Sequence, residues 1–294
     1  MALATPLRDL EPAARPLVVC LEGWIDAGIG ASAAMASLRA TCETELLVTF
    51  DGDELIDHRA RRPIMHIEQG VLGELAWPEP EIYVARDRSG AEALLLVGPE
   101  PDMRWHAFCE EVAALAAGWG CTRMVGFGAF PAPVPHTRPT RLAITASNAE
   151  LARAIGFVGG TIDVPCGVQA PLEQACAAKG MDACTLWARV PHYIANVPWP
   201  SASVALLDGL HNLTGLAVET TSLTQAAMAT RGRIDGLITN SDDHGSLLAQ
   251  LEAQYDAEFG TIEQGPQLPG ADELPSGDEL AIELERFLRG QDGQ

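Results

Sequence analysis

LLLVGPEPDMRWHAFCEEVAALAAGWGCTRMVGF, residues 94–127, holds an apolar run, a helical pattern and a second apolar run in direct succession. Leu94–Gly98 and Arg123–Phe127 are too short for helices. Leu94–Gly98 is also too uniformly apolar for a strand with one wet face, so it reads as a strand covered on both sides. Asp102–Gly118 between them follows a helical pattern. The same alternation extends outward in both directions. Strands are expected at Leu17–Leu21, Leu46–Phe50, Ile64–Glu68, Glu81–Ala85, Leu142–Ala146 and Thr185–Val190. Helices are expected at Ile29–Ala40, Asn148–Gly156, Gln169–Gly180 and Ser201–Val218. Strands separated by helices build a sheet with helices on both faces. Residues 1–220 are therefore expected to form a three-layer α/β/α sandwich around a mostly parallel, mixed sheet. One interval breaks the pattern: Trp77–Glu81 leaves no room for a crossover helix, so a local antiparallel pair is expected between the strands on either side of it.

The character changes near Thr221. Leu223, Ala226, Ala227 and Thr230 outline one helix, and Leu247, Leu248, Leu251 and Tyr255 another, around the turn formers of residues 240–246. Residues 221–260 are expected to be a helical hairpin appended to the sandwich. Residues 261–294 are expected to be a flexible acidic linker and a terminal amphipathic helix over 277–289, with Leu280, Leu284, Phe287 and Leu288 on one stripe.

The net charge of −21 excludes classes of partner. Nucleic acid and anionic membrane surfaces both attract clustered positive charge and repel this balance. No run approaches the roughly 18 apolar residues of a membrane span. The first residues lack a basic start and apolar stretch, so a cytoplasmic location is expected. Seven cysteines occur at spacings that match no zinc motif, and in a reducing compartment they serve as small core residues. Neither a metal nor a cofactor is expected.

Three stretches could carry chemistry. Glu22–Ser32 (EGWIDAGIGAS) places Trp24, Asp26, Gly28 and Gly30 between a strand and a helix, where amide N–H groups can meet an anion or glycines can allow close packing. It does not match G-x-G-x-x-G or the phosphate loop that ends in Gly-Lys. Val134–Pro139 (VPHTRP) follows another strand, and Pro131, Pro133, Pro135 and Pro139 stiffen its loop. His136 and Arg138 there could bind an anion, act as acid and base, or brace the loop. Val190–Pro200 (VPHYIANVPWP) is a further proline-rich loop, with His192, Tyr193 and Trp199 suited to a binding surface or to packing. No catalytic set emerges, for G-x-S-x-G, H-E-x-x-H and S-x-x-K with its companions are absent. Asp242, Asp243 and His244 fit a solvated turn, and Asp53–Arg62 a mixed-charge surface.

Taken in order, GWIDAG (23–28), DELIDHRARRP (53–63), WPEPEIY (77–83), GPEPDMRW (98–105), VPHTRP (134–139) and LWARVPHYI (186–194) resemble the bacterial branch of the proteasome assembly chaperone two family. ELERFLRG (283–290) is similar to that family's terminal helix. Ile25, His58 and Cys166 depart from its pattern. The resemblance implies a sandwich like that of nucleoside phosphorylases, and a protein-binding, chaperone-like role without established enzymatic activity. The implied partners are a second copy of the chain, in a homo-oligomer, and proteasome subunits. The chain ends Asp292–Gly293–Gln294, without the hydrophobic–tyrosine–any tripeptide of some assembly chaperones, so docking by the tail is not expected. The alternative is a phosphorylase- or hydrolase-like enzyme, or a nucleoside- or anion-binding protein, in which Gly28, Gly30, His136 and Arg138 converge on one ligand.

Overall fold

The computed structural model describes residues 2–157, 159–238 and 242–260. Its strands are β1 Ala4–Pro6, β2 Arg15–Glu22, β3 Glu43–Phe50, β4 Ile64–Glu68, β5 Val71–Ala76, β6 Glu81–Arg86, β7 Glu92–Pro99, β8 Cys121–Ala132, β9 Leu142–Ala146 and β10 Asp182–Pro191. Its helices are α1 Gly30–Thr41, α2 Gly52–Leu55, α3 Trp105–Gly118, α4 Ala149–Ile155, α5 Gln169–Ala178, α6 Pro200–Thr214, α7 Thr221–Ile238 and α8 Asp242–Phe259. Short 3-10 turns lie at Ala27–Ile29 and His192–Ile194.

Eight strands form one sheet in the order β1-β3-β6-β7-β2-β8-β10-β9. The central four, β7-β2-β8-β10, run parallel, and the pairings outside them are antiparallel. The expected α/β sandwich with a mixed sheet is present, and its parallel part occupies the centre. Burial explains that arrangement, because parallel strands joined by helices must be covered on both faces. Along β2, Val18 and Cys20 point into a core built with α1 and α6, while Leu17 and Val19 point into one built with α3 and α5. The period of two in a strand thus places consecutive apolar residues in two separate cores.

The strand at Ile64–Glu68 leaves the main sheet, contrary to expectation. It pairs with Val71–Ala76 in a separate two-stranded hairpin, and the strand beginning at Glu81 pairs with β3 and β7 instead. The cause is local. Gln69 (φ 49°) and Gly70 (φ 84°) both lie in the left-handed region, which closes a tight hairpin turn before Trp77 is reached.

The C-terminal helices are anchored to the sandwich. Ile234 of α7 joins the core of α1 and α6, and Tyr255 of α8 is buried against Ala132 and Val134. α8 begins at Asp242, inside the stretch expected to turn. The expected linker and helix over 261–294 lie outside the described residues.

Candidate functional site

The carboxyl ends of β2, β8 and β10 carry the three loops singled out above, and together these make the candidate site. The first turn closes on itself. Asp26 Oδ1 accepts the Ala31 N–H at 2.7 Å, and Oδ2 accepts the Ser32 N–H at 3.0 Å and its hydroxyl at 2.7 Å. Free amides at the start of a helix attract an anion. Here the carboxylate of the chain itself occupies that position. Gly28 sits at φ 61°, where a Cβ would come within 2.7 Å of the Trp199 Cβ. Its N–H donates to the Ala195 carbonyl at 2.6 Å, and its carbonyl accepts the Trp199 N–H at 2.9 Å. The glycine lets the first loop lie directly on the third. Gly30 is engaged as well, its carbonyl accepting the Ser203 hydroxyl at 2.8 Å.

Apolar side chains of this loop face outward. Trp24, Ile25 and Ile29 are exposed, and so is the adjoining Val197 of the third loop. Ile29 has φ 49° and ψ 32° and is 51% exposed. A β-branched residue in left-handed backbone is a conformational outlier, and such strain collects where a side chain must be presented in a fixed direction.

The second and third loops are joined by a closed polar network. His136 is 1% exposed. Its Nε2 lies 3.0 Å from Asp235 Oδ1 on α7, its Nδ1 lies 2.7 Å from Tyr193 Oη, and its backbone N–H donates to the same oxygen at 2.8 Å. One assignment satisfies all three contacts: Nε2–H donates to Asp235, and the Tyr193 hydroxyl donates to Nδ1. Burial lowers the His136 pKa, with Asp235 opposing, which leaves a neutral ring at neutral pH. Burial pushes Tyr193 up to about 12. A neutral imidazole between two saturating partners is a strut, and a phenol held protonated is not a nucleophile. His192 stacks edge-on against Tyr193, with ring centroids 5.4 Å apart.

Arg138 is held by α8. It makes a bidentate pair with Asp256 at 2.8 and 2.7 Å and reaches Glu252 at 3.1 Å. Arg231 donates to the Thr137 carbonyl at 2.9 Å, and the Tyr255 hydroxyl donates to that of Pro139 at 2.8 Å. The proline loop is therefore the seat of the C-terminal helices. Gly28, Gly30, His136 and Arg138 are each committed to partners within the protein. The acids that engage His136 and Arg138 lie 99 to 118 residues away in sequence. The only advance signal of them was the four-residue spacing of Glu252 and Asp256, which puts both on one face of a helix.

A cleft of about 580 Å³ lies beside the first turn, lined by Glu22, Arg61, Trp77, Glu79 and Glu81 among others. Arg61 lies 3.9 Å from the Asp102 carboxylate, and Glu22, Glu79 and Glu81 face the same opening, so carboxylates dominate it and an anion is disfavoured there. No group of three or more metal-ligating side chains occurs among the described residues. None of their helices is long and apolar enough to cross a membrane.

The model of the PAC2 family matches residues 20–238. A solved protein of unknown function from Corynebacterium glutamicum is 27% identical, with a TM-score of 0.81 over 88% of this chain and 98% of its own. The unknown-function protein Rv2714 of Mycobacterium tuberculosis is 33% identical, with a TM-score of 0.78 over 87% of this chain and 91% of its own. Rv2125 of the same organism, described as a proteasome-assembly chaperone homologue, is 32% identical, with a TM-score of 0.74 over 81% of this chain and 99% of its own. No match is found among curated proteins.

Proposed function

This chain belongs to the PAC2 family, and from that premise we propose that it works by binding other polypeptides, as a proteasome-assembly-chaperone-like protein without a catalytic step of its own. The likeness to Rv2125 supports the class of role. The observation that carries the reading is the first loop. Its helix-start amides are already held by Asp26, while Trp24, Ile25 and Ile29 face solvent. Exposed aromatic and aliphatic groups on a braced backbone suit a protein interface, where large rigid anchors supply most of the affinity.

Proteasome subunits are the first partners to test, and a second copy of the chain is the other. Free cysteines fit a reducing compartment, and we place the protein in the cytoplasm on that basis. The test is capture of purified proteasome subunits by the wild type and by Trp24→Ser/Ile29→Ser. The double variant should weaken capture by at least about tenfold while leaving the melting temperature within a few degrees. Undiminished capture would remove Trp24 and Ile29 from the interface. A rise of several degrees in melting temperature with saturating phosphate, nucleoside or nucleotide would instead favour the ligand-binding alternative.

A further inference from the structure

Among the described residues, both strands of the β4–β5 hairpin lie open to solvent. Every residue of both strands is exposed, and among the described residues the sheet they form contains no third strand. Ile64, at 74% exposure, Met65, Ile67, Val71, at 68%, Leu72 and Leu75 all meet solvent, with Trp77 exposed at the base. Cross-strand pairs set Ile67 against Leu72 and Met65 against Leu75. An isolated two-stranded hairpin is marginal in water, and an apolar one with open edges calls for a cover. No proline or lysine interrupts either strand to guard an edge.

The apolar side chains of this arm divide between the two faces of the ribbon, with Met65, Ile67, Leu72 and Leu75 sharing one, and form an exposed apolar patch of the kind that marks a protein–protein site. The charges at its ends indicate which partner. Arg59 and Arg62 lie exposed at the base and make no salt bridge among the described residues. Glu68 ends β4 at the tip, and Glu74 follows on β5. The arm therefore offers two exposed arginines at its base, beside the carboxylate-lined cleft, one carboxylate at its tip and apolar side chains between, with Glu74 partway back along β5. Such an arm complements itself when two copies lie antiparallel, tip against base, the arrangement a two-fold axis generates. Each chain carries −21, so two copies repel at long range. The apolar middle must drive association, and the paired ends select the register.

We propose that the β4–β5 hairpin is the self-association surface, packed antiparallel against the same hairpin of a second copy, with Arg59 and Arg62 of one copy facing Glu68 of the other. This rests on the self-association included in the proposed function, and it names the surface responsible.

The test is sedimentation velocity and light scattering on the full chain across a concentration series. The wild type should be a dimer at micromolar concentration. Ile67→Asp/Leu72→Asp alters only exposed side chains and should yield a monomer with an unchanged circular dichroism spectrum and melting curve. Arg62→Glu and Glu68→Arg should each weaken the dimer by about tenfold, and the two changes combined should restore it to within a few-fold of wild type, as paired charges at a register contact do. A dimer that survives Ile67→Asp/Leu72→Asp would overturn the hairpin assignment while leaving self-association intact. A ring of odd number would overturn the two-fold geometry. A wild type that stays monomeric, with capture of proteasome subunits lost in the hairpin variant, would overturn the second copy as occupant without affecting the protein-binding reading. A monomeric wild type with capture unaffected would remove both self-association and this surface.

Discussion

At φ 49° and ψ 32°, Ile29 holds a β-branched side chain where L-residues other than glycine are disfavoured by about 1–2 kcal/mol. Asp26 on one side and the Gly28 contacts with Ala195 and Trp199 on the other fix the turn, so the backbone cannot relax. Substitution can detect this strain through its sign. At an ordinary position glycine is less stable than alanine because the unfolded chain is freer. At position 29 both variants lose the same side chain beyond Cβ, but only glycine accepts the conformation. Ile29→Gly should therefore be more stable than Ile29→Ala by about 1 kcal/mol in urea unfolding. If alanine proves the more stable of the two, the turn carries no strain. The glycines of this loop stand out in the sequence, and their packing role was one of two readings open there. Ile29 gave no such signal, because an isoleucine before G-A-S looks like the first apolar residue of a helix.

The loop that carries His136 joins an element of the sandwich to α7, and that junction should respond to pH. An unfolded histidine titrates near 6.5. In the folded protein burial depresses the value, with Asp235 and Glu252 acting against burial and Arg231 acting with it. As pH falls below about 6.5, the unfolded chain takes up a proton that the buried ring resists, so stability is highest above that value and declines below it. His136→Gln should flatten that decline between pH 7.5 and 5.5 and lower stability at both by about 1–2 kcal/mol through lost hydrogen bonds. An unchanged pH slope in this variant would show that His136 does not contribute to it. At this scale the sequence was legible wherever burial imposes a period. The two-sided apolar run of Leu94–Gly98 and the helix after it lie where expected, because each must be covered on a fixed face. The hairpin was only half legible. Its turn is Gln-Gly where Asn-Gly or Asp-Gly would signal one, and VLGELA alternates too weakly to declare a strand. The anchors of His136 and Arg138 were hidden for a different reason, since nothing local in a loop reveals which distant helix will supply its acid.

Over the whole molecule these contacts form a connected series. The first loop is bonded to the third through Gly28 and Trp199, and the third to the second through Tyr193 and His136 and through the Trp199 indole, which donates to Thr140 at 3.3 Å. The second loop is bonded to α7 through Asp235 and to α8 through Arg138 and Tyr255. An 18-residue helix has little stability alone in water, so α8 depends on this docking for its structure. Detaching it would also uncover Ala132 and Val134. The described part of the C-terminal region should therefore unfold with the sandwich and not ahead of it. In urea, tryptophan fluorescence, which reports the body, and amide exchange in α8 should give the same midpoint. Tyr255→Phe removes a buried hydroxyl that donates to the Pro139 carbonyl and accepts from Arg141. It should lower that common midpoint by an amount equivalent to about 1 kcal/mol. Separate melting of α8 at low urea, with the fluorescence transition unmoved, would show instead that the helix is a detachable arm. The loops would then be free to offer Val134–Pro139 to another polypeptide, and the partner surface would have to be sought there instead of at Trp24 and Ile29.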